Sequence, residues 1–239
     1  MQLLDTQFRM PGEVADIISE WFYENNYHSF EDKRNMNAIS PIFKNPLCLI
    51  NTKDAKERKE TKIKNEEGNL VPVNYYEAEV ISEIVNYLIS KNIVKEAEIG
   101  VIVPYRKQLD IIKNKIKEKS GNKVKYIDEI VKTLDSYQGQ ERDVIIYGIT
   151  RCNDISSEQS RIGFLKELRR FNVALTRCKK QMLVIGDFDF LQECKFEQEN
   201  ENGSTEKDFG EFVKLMVQRV KEGKGAIIKS KDILEDLKR

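Results

Sequence analysis

Four apolar runs without alternation constrain the fold of this 239-residue chain more than any other feature of its sequence. A strand with one solvated face alternates apolar and polar residues, whereas a strand buried on both faces is apolar throughout. The runs are "PLCLINT" (Pro46–Thr52), "EIGVIVPY" (Glu98–Tyr105), "DVIIYGIT" (Asp143–Thr150) and "QMLVIGD" (Gln181–Asp187). Segments with helical spacing separate them. The pattern therefore predicts an α/β fold with a mostly parallel sheet covered by helices on both faces.

Helical patterns precede and separate the runs. The segment "GEVADIISEWFY" follows Pro11 and carries apolar residues at helical spacing. A second helix is predicted to start at Asn74, with Glu77 at its third position forming a capping box. A third, "QLDIIKNKIKEKSG", has Gly121 as its expected C-cap. The segment "IGFLKELRRFNVALTR" (Ile162–Arg177) predicts one further continuous helix.

The remaining segments are shorter or more polar. "VKYI" and "VKTL" predict two short strands, and "FDFLQEC" and "FGEFVKLMVQRVKEG" predict helices. Residues 53–70 and 195–208 are charged, which predicts mobile loops; a flexible hairpin is the alternative for the first. A C-terminal tail over residues 224–239 predicts a strand and one more helix, with no role indicated by its sequence.

Charge and cysteine content limit the classes of function. The chain has 40 Lys and Arg against 40 Asp and Glu, so it lacks the overall basic charge typical of nucleic-acid binders, although a local basic groove stays open. Four scattered cysteines and a single histidine, His28, argue against a metal site and fit a reducing cytoplasm. No run is long enough to span a membrane, and no signal peptide is evident. We expect His28 to lie at the surface.

One polar turn, "DSYQGQE", comes directly before an apolar strand. In one interpretation Gly139 only supplies backbone freedom and Glu141 is a solvated carboxylate. In the other, the glycine lets a nucleotide approach the backbone and Glu141 accepts a hydrogen bond from a ribose hydroxyl. Thr133, Ser136 and Gln138 then donate hydrogen bonds to nucleic-acid phosphates.

Polar turns also follow the other strands, and ligands of parallel sheets bind at the carboxyl ends of strands. The candidate turns are Pro104–Tyr105, Asp135–Glu141, Thr150–Arg151 and Gly186–Asp187.

Two arginines, Arg9 in "TQFRMP" and Arg177 in "NVALTR", also have two interpretations. Each is either half of a surface ion pair or a planar donor for phosphate oxygens, able to offset charge on a γ-phosphate. The sequence contains no G-x-x-x-x-G-K-[ST] segment and no apolar strand that ends in an acidic pair for magnesium.

Three stretches resemble, in order, three C-terminal motifs of superfamily 1 helicases of subgroup B. They are "LDTQFRMP" (Leu4–Pro11), "TLDSYQGQERDVIIYGITR" (Thr133–Arg151) and "RRFNVALTRCKKQMLVIGD" (Arg169–Asp187). The likeness is greatest to the group of the nonsense-mediated-decay helicase, senataxin and the replication helicase-nucleases. Weaker matches are "NYYEAEVI" (Asn74–Ile81) and "GVIVPYRKQ" (Gly100–Gln108).

The resemblance implies that residues 1–223 form the second of two RecA-like domains, a three-layer α/β unit, in an ATP-dependent 5′-to-3′ DNA or RNA helicase. In that family ATP and Mg²⁺ bind in the cleft between the domains, and the N-terminal RecA-like domain carries the phosphate loop and the magnesium ligands. The abrupt start at a dense motif leads us to expect an excised fragment, inactive alone. The expected partners are that N-terminal domain and single-stranded nucleic acid, with no membrane.

The resemblance also assigns roles by position. Arg9 and Arg177 match the arginines that reach the γ-phosphate from the opposite domain. Gln7, Gly139 and Glu141 match positions at the nucleotide.

Positions expected near the single-strand path are matched by Pro104, Tyr105, Thr133, Ser136 and Gln138. The chain departs in three places from the pattern of the family that it resembles. Tyr75 stands where some relatives have an arginine, "RMPGE" lacks a frequent histidine, and Cys178 replaces a common alanine.

Two alternatives stay open at this point. The chain is either half of a helicase motor or a non-catalytic helicase-like module that binds nucleic acid or acts as a scaffold. Retention of Arg9, Glu141 and Arg177 favours the motor. A third reading, an unrelated α/β enzyme such as a nucleotidyl or methyl transferase, requires these matches to be coincidental.

Overall fold

The computed structural model describes residues 5–30, 39–137, 139–195 and 208–238. Its strands are β1 (Thr6–Gln7), β2 (His28–Ser29), β3 (Leu47–Asn51), β4 (Thr61–Lys64), β5 (Leu70–Val73), β6 (Ile99–Val103), β7 (Val131–Thr133), β8 (Arg142–Gly148), β9 (Cys178–Gly186) and β10 (Ala226–Lys229). Its α-helices are α1 (Gly12–Phe22), α2 (Tyr75–Ser90), α3 (Arg106–Ser120), α4 (Ile127–Ile130), α5 (Glu158–Ile162), α6 (Leu168–Leu175), α7 (Phe188–Gln192), α8 (Phe209–Arg219) and α9 (Ser230–Asp236).

Six strands form one sheet, in the order β10-β3-β9-β8-β6-β7, and every neighbouring pair is parallel. The four apolar runs become β3, β6, β8 and β9, the inner strands of this sheet. Alternate residues of each strand enter opposite cores: in β8, Ile145 and Tyr147 pack with α1, α6 and α8, while Val144 and Ile146 pack with α2 and α3. The predicted α/β fold with both sheet faces covered is confirmed.

The C-terminal tail adds the outermost strand. Its β10 pairs with β3 from Ala226 to Lys229, and α9 follows at once. Ser230 of α9 hydrogen-bonds the hydroxyl of Tyr76 on α2 at 3.0 Å. The predicted strand and helix are both present, and together they cover the free edge of β3.

His28, which we expected to lie at the surface, is exposed in β2.

Residues 61–73 form an antiparallel hairpin of β4 and β5. The hairpin alternative is therefore the correct one for this part of 53–70, where we had expected a loop. Its turn is organised by Asn65, whose side-chain oxygen accepts the N–H groups of Glu67 and Asn69. Of the second expected loop, 195–208, residues 196–207 lie outside the described residues, so its mobility stays a prediction.

Two secondary-structure predictions were wrong. The segment "VKYI" is not a strand, because α4 begins at Ile127 and buries Ile127 and Ile130, which have helical spacing. The single helix expected over 162–177 is broken into α5, a 3₁₀ turn over Gly163–Lys166, and α6. Gly163 has φ +59°, and a Cβ there would lie 2.6 Å from the Tyr105 hydroxyl. Close approach and a left-handed backbone both interrupt the helix at this glycine.

The start of α2 is capped on one side only. Asn74 accepts the N–H of Glu77 at 2.9 Å, as predicted. The N–H of Asn74, however, donates to the side chain of Gln108 at 2.8 Å instead of to Glu77. The carboxylate of Glu77 is fully buried and accepts the N–H of Thr150 at 2.7 Å, at the end of β8. The capping box was therefore wrong, because Glu77 links α2 to the sheet.

The buried Glu77 predicts a pH-dependent stability. Burial raises its pKa well above the usual range of a carboxyl; the Thr150 N–H opposes this, and the charges of Glu60 and Asp187 add to it. A raised pKa in the folded state means that the carboxylate form is penalised, so folding stability is lost as pH rises above about 4.3. We expect the free energy of unfolding of wild type, relative to Glu77→Gln, to fall between pH 4.5 and pH 8 in urea titrations.

The control for this measurement is Glu118→Gln, which changes an exposed glutamate on α3. It should leave the pH profile unchanged. A difference between wild type and Glu77→Gln that stays constant with pH contradicts the assignment of a shifted carboxyl.

Candidate functional site

Three charged residues from distant parts of the chain meet at the amino edge of the sheet. Glu141 precedes β8 and Arg177 precedes β9, and these adjacent parallel strands start side by side, with Arg142 opposite Cys178. Arg9 follows β1 and reaches the same place: its Nε lies 2.6 Å from Glu141 Oε2, and its Nη1 donates to the carbonyl of Thr176 at 3.4 Å. The structure thus brings together Arg9, Glu141 and Arg177, as expected for one site.

Arg177 is half-buried and held by the end of α6. Its Nε donates to the Val173 carbonyl at 2.9 Å, and its Nη2 donates to the Thr176 hydroxyl at 3.3 Å. Burial lowers the pKa of the guanidinium, the charge of Arg9 lowers it further, and Glu141 opposes both. The pKa of an arginine lies far above neutral pH, so the side chain stays charged at pH 7.

This edge carries more positive than negative charge. The cations are Arg9, Arg142, Arg177, Lys179 and Lys180, and the carboxylates are Glu141, Asp143 and Glu98, which acts on Lys180. Lys179 lies 3.8 Å from Glu141 and 3.6 Å from Asp143, while Lys180 pairs with Asp143 at 2.7 Å. No carboxylate pairs with Arg177 among the described residues. Its guanidinium can therefore take an anion without breaking an ion pair, which fits part of a phosphate site.

Gln7 is buried and shapes the turn that carries Arg9. Its Nε2 donates to the Met10 carbonyl at 2.9 Å and to the Ser29 hydroxyl at 2.8 Å. Its Oε1 accepts the N–H groups of Arg9 at 2.8 Å and Met10 at 2.7 Å. These bonds use the full capacity of an amide side chain. A contact between Gln7 and a nucleotide has to replace one of them, and it stays a prediction.

Gly139 has φ +81°, and a Cβ built on it meets no atom within 4 Å. The backbone conformation favours glycine, and the space beside it leaves room for a ligand. Both interpretations of this glycine therefore remain. Gln138 lies outside the described residues, so its contact with nucleic acid also stays a prediction.

A groove of about 740 Å³ runs along the carboxyl ends of β6 and β7. It brings together Pro104, Tyr105, Thr133 and Ser136, the described members of the predicted nucleic-acid set. The Thr133 and Ser136 hydroxyls lie 3.0 Å apart and are hydrogen-bonded to each other.

The groove is not basic. Its charged lining residues are Arg106, Lys107, Lys113, Lys132 and Arg170 against Glu66, Glu67, Asp110, Asp128 and Asp135. Several are paired: Lys107 with Glu66 at 3.4 Å, and Lys113 with Asp128 at 2.6 Å. The local basic groove left open by the neutral composition is not found here.

The two edges are joined by residues 134–141. Thr133 ends β7 at the carboxyl edge, and Glu141 precedes β8 at the amino edge. Between them Tyr137 is fully buried against β6, where a Cβ on Gly100 would lie 1.9 Å from its hydroxyl oxygen. The expectation that ligands bind at the carboxyl ends of the strands therefore holds for the groove. It does not hold for Arg9, Glu141 and Arg177, called the Arg9 cluster below, which lie at the opposite edge of the sheet.

Sequence reasoning missed Phe164 and Lys179. Phe164 is half-exposed and lines the groove, and Lys179 lies beside Glu141. The aromatic residue directly after Gly163 could have indicated Phe164 as a site residue, but we assigned it to the expected continuous helix. Lys179 lies in the stretch Arg169–Asp187, and no residue next to it in the sequence sets it apart from the other lysines.

The described ranges contain no helix long and apolar enough to cross a membrane. They also contain no group of three or more His, Cys, Asp or Glu placed to hold a metal ion.

Comparison with known proteins gives a consistent result. A family model described as an AAA domain matches residues 1–189. "DNA polymerase alpha-associated DNA helicase A" of Saccharomyces cerevisiae is 39% identical over 131 residues, covering 54% of this chain and 18% of that protein. "Helicase sen1" of Schizosaccharomyces pombe is 32% identical over 200 residues, covering 80% and 11%.

A third relative is "DNA replication ATP-dependent helicase/nuclease DNA2" of Xenopus laevis, 33% identical over 166 residues, covering 66% of this chain and 14% of that protein. The chain spans between 11% and 18% of the length of these three relatives. A solved helicase, PRRSV nsp10, aligns with a TM-score of 0.30 at 13% identity over 76% of this chain and 23% of that one, too weak a likeness to bear on the fold. The chain therefore belongs to the AAA-domain family that matches it over residues 1–189, and to the superfamily 1 helicase group that resembles senataxin and the replication helicase-nucleases.

Proposed function

We propose that residues 1–223 are the second RecA-like domain of an ATP-dependent DNA or RNA helicase. In this proposal Arg9 and Arg177 reach the γ-phosphate of an ATP molecule held between this domain and an N-terminal RecA-like domain of the same protein. The observation that carries the proposal is the meeting of Arg9, Glu141 and Arg177 at one edge with unbalanced positive charge. The helicase relatives support it.

The Arg9–Glu141 ion pair indicates how the site accepts its ligand. Both side chains are more than two-fifths exposed. Exposed ion pairs contribute only about 0–1 kcal/mol, so a ligand can replace this one at small cost. ATP offers both partners an alternative: phosphate oxygens for the planar donor of Arg9, and a ribose hydroxyl for the carboxylate of Glu141.

Arg177 has a different part in the proposed site. Its guanidinium is already oriented by Val173 and Thr176 and does not need to leave a carboxylate. A positioned arginine offsets the charge that develops on the transferred phosphoryl group, a contribution of about a thousandfold or more to turnover. Hydrolysis of a bound ATP would supply the energy for movement, and we expect the phosphate loop and the Mg²⁺ ligands on the N-terminal domain.

The groove is the proposed track for a single strand of DNA or RNA. Thr133 and Ser136 offer hydroxyls for strand phosphates. A groove with balanced charge gives weak and releasable contacts, as a stepping motor requires. The turn over residues 134–141 gives a direct connection between this track and the Arg9 cluster. The four cysteines are buried, and Cys48, Cys152 and Cys178 are free thiols, which supports the proposed location in a reducing cytoplasm.

ATP turnover by the full-length protein tests this proposal. We expect hydrolysis that single-stranded nucleic acid stimulates, because the strand and ATP bind opposite ends of one turn. We expect no turnover above background from the 239-residue chain alone, because half of the phosphate contacts are proposed to lie elsewhere.

Two outcomes contradict the proposal. Strand binding by the full-length protein without any ATP turnover would support the non-catalytic helicase-like module instead. Turnover by a clean preparation of the isolated chain, lost in Arg177→Ala, would show that this domain needs no partner.

A further inference from the structure

The groove exposes one large hydrophobic side chain among the described residues that line it, that of Phe164. This side chain is 50% exposed, and its ring centroid lies 5.3 Å from that of Tyr105, which is buried. The exposed half of the ring contributes nothing to folding, because that apolar area is not removed from solvent. An aromatic ring held at a groove that is otherwise rich in charge and hydroxyls indicates a ligand with a flat apolar face.

The ring pair is held from behind by Arg151, at the carboxyl end of β8. Arg151 is only 5% exposed. Its Nη1 donates to the Tyr105 hydroxyl at 3.3 Å, and its Nη2 donates to the carbonyls of Ser160 and, at 2.9 Å, Arg161. One guanidinium therefore fixes both the loop that carries Tyr105 and the chain that leads into Phe164.

The charge of Arg151 is balanced by a buried carboxylate. Its Nε lies 3.1 Å from Glu60 Oε2, which also accepts the N–H of Cys152 at 2.9 Å. The Glu60 side chain is 3% exposed. A buried ion pair adds little net stability, since desolvating both charges offsets their attraction. Its effect here is to fix geometry, because the Arg151 guanidinium holds together the segments that carry Tyr105, Ser160 and Glu60.

Gly163 completes the arrangement. A Cβ on this residue would lie 2.6 Å from the Tyr105 hydroxyl and 2.9 Å from Arg151 Nη1. The chain thus passes directly over the guanidinium and places Phe164 beside Tyr105. The contact needs glycine both for this approach and for its φ of +59°.

We propose that Phe164 is a base-stacking contact for single-stranded nucleic acid, and that Arg151 is the positioning residue that holds Phe164 through Tyr105 and the chain at Ser160 and Arg161. This inference rests on the proposed function of the groove. Thr133 and Ser136 at the same groove contact the strand backbone, while the ring receives a base. Stacking is independent of base identity, since every base has a π-face, so the contact serves DNA and RNA alike.

The test compares two dye-labelled strands of equal length, oligo-dT and an abasic strand, by fluorescence anisotropy with the full-length protein. Phe164→Ala should weaken binding of oligo-dT about tenfold and leave binding of the abasic strand unchanged. Phe164→Trp should restore the affinity. Tyr126→Ala is the matched control, because Tyr126 is 55% exposed and does not line the groove; it should bind both strands as wild type does.

Arg151→Lys tests the positioning role, since it keeps the charge beside Glu60 but loses the fork that reaches Tyr105. It should weaken oligo-dT binding alone, and the double variant with Phe164→Ala should bind no more weakly than Phe164→Ala itself. An additive loss overturns the positioning role of Arg151. Stacking is overturned if wild type and Phe164→Ala bind oligo-dT equally well. It is also overturned if Phe164→Ala loses the same affinity for oligo-dT and for the abasic strand. In both cases the proposed function stands. If wild type binds neither these strands nor oligo-rU of the same length, both proposals fall.

Discussion

In the full-length protein, Arg177→Ala should reduce the ATP turnover number by about a thousandfold or more, while the affinity for nucleotide changes little. The expected size follows from the contribution of a positioned arginine to phosphoryl transfer. Its guanidinium is oriented by Val173 and Thr176 and pairs with no carboxylate in the part of the chain that the structure describes. The measurement is steady-state ATPase, with a fluorescent ATP analogue reporting binding. Arg177→Lys should recover only part of the loss, because a lysine lacks the planar fork.

Lys180→Ala is the control for this result. It removes a positive charge from the same edge, but Lys180 is exposed and paired with Asp143 at 2.7 Å. We expect turnover close to that of wild type. Normal turnover in Arg177→Ala rules out the proposed role of this arginine. An equal loss in Lys180→Ala shows that only the general charge of the edge matters.

Gly100→Ala should lower the free energy of unfolding by about 1–3 kcal/mol, the usual cost of forcing an atom into a packed core. The added Cβ would lie 1.9 Å from the Tyr137 hydroxyl oxygen, 2.7 Å from its ring carbon and 2.9 Å from Ile145. Tyr137 is fully buried and cannot swing into solvent. Urea denaturation of the 239-residue chain measures the loss. In the full-length protein the displaced turn should also weaken the stimulation of ATPase by nucleic acid.

A double-mutant cycle identifies the cause. The Tyr137 hydroxyl has no hydrogen-bond partner among the described residues, so Tyr137→Phe alone should be neutral or slightly stabilising. Gly100→Ala combined with Tyr137→Phe should lose less stability than Gly100→Ala, because the closest overlap disappears. Strictly additive effects would mean that Tyr137 does not lie over Gly100 in solution.

The central sheet was predictable because strands buried on both faces cannot tolerate polar residues. In β8, Val144 to Tyr147 enter two cores in alternation, so the whole run has to be apolar. The ends of elements were harder to predict, because contacts from elsewhere in the chain decide them. Gly163 interrupts a good helical pattern since Tyr105 and Arg151 occupy the space of its side chain. The Glu77 side chain does not accept the Asn74 N–H at the start of α2, because it accepts the N–H of Thr150 instead.

The candidate site was predictable residue by residue only through the family motifs. The sequence alone presents Arg9, Glu141 and Arg177 as ordinary charged residues with equally plausible surface roles. Their convergence depends on the pairing of β8 with β9, which brings positions 142 and 178 together. Phe164 and its support by Arg151 could not be predicted, because the pattern around "IGFLKEL" indicated a continuous helix. A half-exposed ring can be recognised only once the chain around Gly163 is seen to turn.

The most direct test of the central claim is a structure of the full-length protein with ADP and a fluoroaluminate mimic of the transferred phosphoryl group. We expect the guanidinium nitrogens of Arg9 and Arg177 within about 3 Å of the mimic, the Arg9–Glu141 pair opened, and the nucleotide shared with an N-terminal RecA-like domain. Nucleotide bound instead at the carboxyl edge, in the cavity of about 430 Å³ lined by Lys53, Arg58 and Asp187, would contradict it.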